Sequence, residues 1–109
     1  MLFVNGELRI IYNNADESII KKVDEAFRRV NYRYDFDHVR LKQGVKVNAW
    51  GNESYSETRI GKLLESLKEI APIEEGSEFD FNDGDGEYWR YIFVNGVWKY
   101  QTGRLVYHD

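Results

Sequence analysis

The residues best suited to chemistry lie in one acidic segment, which runs from position 74 to position 87 and contains no lysine or arginine. Seven carboxylates fall within it: Glu74, Glu75, Glu78, Asp80, Asp83, Asp85 and Glu87. The formal charge of the whole chain is only -4, so the negative charge is concentrated here. Because carboxylates at this density repel one another and attract cations, the segment has three interpretations: a metal site, a surface for a basic partner, or a turn that only solvent meets.

Calcium is the metal that such a segment would suit. An EF-hand loop has acidic or amide ligands at alternate positions, a glycine at the sixth position and a glutamate at the twelfth. Counted from Asp80, the sixth residue is Asp85 and the twelfth is Tyr91, so the regular motif fails. We predict no metal and no cofactor, and an irregular calcium loop remains the alternative. The segment can also be interpreted as a turn that only solvent meets, without any partner. The residues interpreted as pairing with a partner's lysine or arginine are Asp80, Asp83, Asp85 and Glu87.

An aromatic hairpin follows the acidic segment directly. Residues 87–94 have the pattern of one strand, and Asn95-Gly96 is the signal of a two-residue type I′ turn. This turn sets a register in which Val94 lies opposite Val97. One face of the hairpin then carries the rings of Trp89, Tyr91, Phe93, Trp98 and Tyr100.

These rings have three interpretations. Rings on one face of a hairpin most often pack beneath helices as part of the core. If the helices cover the opposite face, an exposed ring surface would anchor a protein partner through Trp89, Tyr91, Trp98 and Tyr100. Exposed rings also stack nucleobases in RNA-recognition domains. In that interpretation the basic contacts would come from Arg40, Lys42, Lys46 and Arg90.

The charge distribution makes a nucleic-acid partner the less favoured alternative. Residues 21–46 carry eight basic and four acidic side chains, a net charge of +4. The isoelectric point of the chain is nevertheless about 5.2, whereas nucleic-acid-binding domains are usually basic. Self-association is a further alternative, in which this basic region of one subunit meets the acidic segment of another.

Catalysis has little support in the sequence. His38 and His108 are the only histidines, and His38 and its neighbour Asp37 would point to opposite faces of a strand. The chain has no glycine-rich phosphate loop and no nucleophile elbow. We therefore expect a protein without enzymatic activity.

Length and composition indicate a single domain outside any membrane. A chain of 109 residues has the size of one domain. It contains no cysteine, so neither a disulfide framework nor a thiolate zinc site is available. No apolar run reaches the roughly 18 residues of a membrane span, and the first residues lack a signal-peptide pattern. We expect a cytoplasmic protein with no membrane partner.

The order of elements predicts the scaffold that holds the acidic segment. Residues 8–12 alternate as a strand, and Asn5-Gly6 before them has the signal of a tight turn. A capping box, Asn14-x-x-Glu17, opens the first of two amphipathic helices. The order β-α-β-β-α-β predicts an α+β fold with a ferredoxin-like core. In such a core an antiparallel sheet carries both helices on one face, and here the C-terminal hairpin would extend it.

The last third of the chain has a recognisable layout. An acidic Gly86-Glu87 precedes Trp89-Arg90, and an apolar strand, an Asn-Gly turn and a basic-apolar strand over 103–107 follow. This layout resembles small uncharacterised proteins of phages, plasmids and actinobacteria. The resemblance implies a mobile-element setting, in which compact acidic proteins occlude host or defence proteins. The expectation is a non-enzymatic protein-binding module, with inhibition of a nucleic-acid-handling host or defence complex as its role.

Overall fold

Six strands and two helices make up the computed structural model, which describes residues 3–104. The helices are α1 (Ser18–Arg29) and α2 (Glu57–Ile70). The strands are β1 (Phe3–Tyr12), β2 (Asp35–Leu41), β3 (Gly44–Ser54), β4 (Glu78–Asn82), β5 (Glu87–Val94) and β6 (Val97–Arg104). They form one antiparallel sheet with the order β2-β3-β1-β4-β5-β6. The predicted α+β class and the antiparallel sheet are confirmed.

Both helices pack on the same face of the sheet. The inward-facing row of β1 includes Leu8 and Tyr12, which are fully buried. From α1, the Phe27 ring lies 6.0 Å from the ring of Phe79 on β4. From α2, the carbonyl oxygen of Leu67 accepts a 2.9 Å hydrogen bond from the Tyr12 hydroxyl. Because side chains alternate along a strand, the residues between these core positions point away from both helices.

The face of the sheet opposite the helices is called the open face below. Strand register arranges its side chains in rows that run across neighbouring strands. One row consists of Asp35, Trp50, Glu7, Asp80, Arg90 and Gln101. The adjacent row consists of Asn52, Asn5, Asn82 and Tyr88.

The start of α1 differs from the predicted capping box. The helix begins at Ser18, after Glu17 in the cap position, and Glu17 forms no side-chain capping bond. The Asn14 side chain instead accepts a 2.9 Å bond from the N–H of Asp16, and the Asp16 side chain accepts one of 2.9 Å from the N–H of Ser18. The prediction failed because an Asx turn at Asn14 satisfies that side chain locally and delays the helix.

The end of α1 directs the chain into the edge strand β2. Asn31 takes a left-handed conformation with φ of 66°, and its N–H donates to the carbonyl of Arg28. The Tyr32 N–H donates to the carbonyl of Phe27, which completes a Schellman-type helix end. The chain then turns into β2, whose first residue is Asp35.

Of the two Asn-Gly pairs in the chain, one forms a turn and the other lies within a strand. Asn95-Gly96 forms the β5–β6 turn with positive φ at both residues, 53° and 78°, and the predicted register of Val94 opposite Val97 is confirmed. The predicted turn at Asn5-Gly6 is wrong, because these residues lie inside the continuous strand β1. Pairing with β3 on one side and β4 on the other outweighs the local turn preference there.

Candidate binding site on the open sheet face

A charged network occupies the centre of the open face. Arg9 on β1 donates from its Nη2 atom to Glu78 and to Asp80 on β4, the latter at 2.5 Å. Arg90 on β5 reaches the other oxygen of Glu78 at 3.3 Å. The Tyr88 hydroxyl donates to Asp80. Two of the seven carboxylates in the acidic segment are therefore paired within the molecule, and the expectation that the segment lacks counter-charges is wrong for them.

Burial controls the protonation of this network. The Asp80 side chain is 10 % exposed, and burial raises the pKa of its carboxyl above the ordinary value, against the opposing effects of the Tyr88 hydrogen bond and Arg9. Burial and the hydrogen bond to Asp80 raise the pKa of Tyr88 to about 12. At neutral pH the hydroxyl of Tyr88 remains a donor, and the raised pKa of Asp80 means that its charged form is held in the native state at some cost in stability.

This cost predicts a pH dependence that Asp80→Asn should remove. A carboxyl whose native pKa exceeds its unfolded value of 3.8 binds more protons in the native state, so its contribution to stability falls as pH rises. The wild type should therefore gain stability relative to Asp80→Asn as the pH is lowered from neutrality through the raised native pKa. Urea unfolding of both proteins across this range measures the difference. A difference that is independent of pH, or of opposite sign, would contradict the assignment.

The hairpin rings are mostly part of the core. Trp89 and Tyr91 are buried on the helix-covered face, and the Tyr91 hydroxyl lies 3.1 Å from that of Tyr55. Trp98 is half-buried against Phe93. Tyr100 is 53 % exposed. The helices cover the face on which the rings lie, and this buries Trp89 and Tyr91 and part of Trp98. Of the four rings predicted to anchor a partner, Tyr100 alone exposes most of its area.

The β4–β5 turn holds the remaining predicted acids. The Asp83 carboxylate accepts hydrogen bonds from the N–H groups of Asp85 and Glu87, at 2.8 and 3.2 Å, and the Asn82 side chain accepts one from Gly84 at 3.2 Å. These bonds fix the turn, and the side chains of Asp85 and Glu87 are exposed at its tip. Asp80 is separated from this group, because its carboxylate faces the Arg9 network.

The basic residues proposed for nucleic acid do not converge. Arg40 pairs with Glu17 near the start of α1, on the side of the sheet that carries the helices. Arg90 belongs to the open-face network, and Lys46 lies on the open face opposite Ile11. Within residues 3–104, no three His, Asp or Glu side chains are arranged to hold a metal ion.

A concave region of the open face contains the functional candidate that the sequence analysis missed. It encloses about 560 Å³ above β3, β1 and β4. Trp50 stands at one side with 45 % of its area exposed, and Tyr88 stands at the other. Asn5, Asn52 and Asn82 line the space between them. A sequence signal existed, because the alternation of Val45, Val47 and Ala49 as core residues assigns Trp50 to the opposite face.

Neither helix in the described part of the chain has the length and apolar character that crossing a bilayer requires. Comparisons of the chain with protein-family models, with curated proteins and with solved structures found no match.

Proposed function

We propose that this protein is a non-enzymatic binding module that docks on a basic surface of another protein. The observation that supports the proposal is the acidic end of the open face, where no helix of the described chain lies over the sheet. Asp35 and Glu7 lie in the same row as Trp50, and the β4–β5 turn, with the exposed Asp85 at its tip, projects beside the next row. Carboxylates from three distant parts of the chain thus gather at one end of the sheet, which suits a cationic partner.

The finer parts of the proposal follow from the same arrangement. The strand order β2-β3-β1-β4, with both helices on one face, supports a ferredoxin-like core to which β5 and β6 are added. A cytoplasmic location and a role as an inhibitor of a host or defence complex in a mobile-element setting belong to the proposal too. An acidic face would act there by occupying a basic surface that otherwise meets phosphates.

The charge of the turn provides the test. In the turn variant, Asp83→Asn, Asp85→Asn and Glu87→Gln are combined; the amide oxygen introduced at position 83 can still accept the two bonds that fix the turn. In the control variant, Glu25→Gln, Glu65→Gln and Glu69→Gln remove the same charge from exposed positions on the helices. The probe is a short fluorescein-labelled peptide of alternating lysine and glycine, titrated by fluorescence polarisation at about 0.05 M and about 0.5 M salt.

We expect the wild type to bind the peptide at low salt and lose affinity at high salt. Three charges removed from the turn, at about 0.3 kcal/mol each, correspond to a roughly five-fold weaker affinity for the turn variant. The control variant should lose much less. Equal losses in both variants, or no binding at low salt, would reject the proposal. Binding of a labelled single-stranded oligonucleotide in place of the peptide would favour the nucleic-acid alternative instead.

A further inference from the structure

Trp50 has an unusual setting for an exposed tryptophan. Strand register places Asp35 of β2 directly opposite it on one side and Glu7 of β1 directly opposite on the other. Directly opposed residues in antiparallel strands have Cβ atoms about 5 Å apart. The indole ring is therefore flanked on both sides by carboxylates on the same face, and both carboxylates are exposed.

The Glu7 carboxylate remains available to a ligand. Its side chain is 56 % exposed, and the one ion pair that it forms within residues 3–104, with Nη1 of Arg9, is long at 3.5 Å. Arg9 directs its Nη2 atom to Glu78 and Asp80 instead. Glu7 thus keeps acceptor positions, and it lines the concave region beside Trp50.

The concave region is large enough to admit a long side chain beside Trp50. Its floor includes the paired main-chain segments at Gly6 and Gly51. From Trp50 to Tyr88 it extends across three strand spacings, or about 14 Å. Asn5, Asn52 and Asn82 supply amide groups that both donate and accept hydrogen bonds. Arg9 also lines the region, and its Nη2 atom is already bonded to Glu78 and Asp80. Beside Trp50 a phosphate would be repelled by Glu7 and Asp35, so an anionic ligand is disfavoured at that end.

We propose that this region binds an arginine side chain of the partner protein. A guanidinium group is planar, so it stacks on the Trp50 ring, and its charge is attracted to the face of the ring. Its fork of N–H donors matches a carboxylate, which Glu7 and Asp35 each provide beside the ring. A lysine ammonium would gain the charge attraction without the planar stacking or the paired hydrogen bonds. The inference rests on the proposed function and names the chemical group that the acidic end of the face recognises.

The test compares two peptides of the same length and charge, one with arginine and one with lysine at the same positions, on the full chain. The wild type should bind the arginine peptide about ten-fold more tightly. Trp50→Ala should remove this preference while it leaves lysine-peptide affinity nearly unchanged. Trp50→Phe should retain part of the preference, and Leu41→Ala, an exposed apolar residue at the far end of the open face, should retain all of it. Glu7→Gln and Asp35→Asn should each weaken binding of the arginine peptide by a few-fold.

Two results separate failure of this inference from failure of the proposed function. If both peptides bind equally to the wild type, and the turn variant still weakens them, the arginine assignment is overturned and the acidic surface stands. If neither peptide binds, both proposals are overturned. Preference that survives Trp50→Ala would also reject the assignment. A concentration-dependent dimer in sedimentation experiments that Trp50→Ala dissociates would assign the region to a second copy of this chain.

Discussion

Gly6→Ala is expected to destabilise the protein by about 3 kcal/mol, near the upper end of the usual cost of overpacking a core. Gly6 lies in the middle of β1 with its α-carbon hydrogen toward the helices. A methyl group there would overlap the Tyr34 hydroxyl and lie 2.9 Å from Cε1 of Phe81. The Tyr34 ring has little room to move, since it packs 4.8 Å from Phe27 and 5.8 Å from Phe79 between ring centroids.

Gly61→Ala is the matched control for this prediction. Gly61 lies inside α2, and apart from its chain neighbours and the surrounding helix backbone no heavy atom lies within 4 Å of the position that a methyl group would take. Alanine in place of glycine in a helix should stabilise the protein by about 0.5–1 kcal/mol. Urea unfolding of the wild type and both variants gives the two changes in free energy. A gain in stability for Gly6→Ala would show that Tyr34 does not occupy the space over Gly6.

The parts of the fold that sequence predicts are those fixed by neighbouring residues. Asn95-Gly96 requires two positive φ angles, and this requirement alone determines the register of β5 and β6. Asn5-Gly6 has the same local turn signal, but it lies within strand β1 and forms no turn. Its two flanking strands are distant in sequence, so only the complete sheet shows that β1 continues through it.

The candidate site was harder to predict because its members come from distant segments. Arg9 pairs with Glu78 and Asp80, which are 69 and 71 positions away. The acidic segment therefore looks uncompensated in sequence, although its middle is neutralised in the fold. Trp50 presents the complementary case. Alternation along β3 places Trp50 on the face opposite Val45, Val47 and Ala49. Its exposure also requires that the helices cover only the face of those three residues, and the complete sheet is needed to show this.

Loss of the pairing between Arg9 and the carboxylates of Glu78 and Asp80 gives the second large expected effect. Arg9→Met should lower the free energy of unfolding. Methionine keeps much of the arginine stem but leaves Glu78 and Asp80, both largely buried, without their shared cation. Breaking a fully buried pair costs about 3–5 kcal/mol. Because the Arg9 side chain is 40 % exposed, solvent screens the loss, and we expect about 2 kcal/mol. Urea unfolding at neutral pH provides the measurement.

The physical cause is tested by the same substitution in a neutral background. When Glu78→Gln and Asp80→Asn are already present, Arg9→Met should cost less than about 1 kcal/mol, because no buried charge is left unpaired. The single Arg9→Met variant should also recover stability as the pH is lowered, since loss of the cation raises the native pKa of the Asp80 carboxyl further and folding then favours its protonation. If Arg9→Met costs the same in both backgrounds, the effect comes from lost packing of the arginine stem along the sheet. In that case solvent and the Tyr88 hydroxyl would stabilise the charges of Glu78 and Asp80, and Arg9 would contribute little to them.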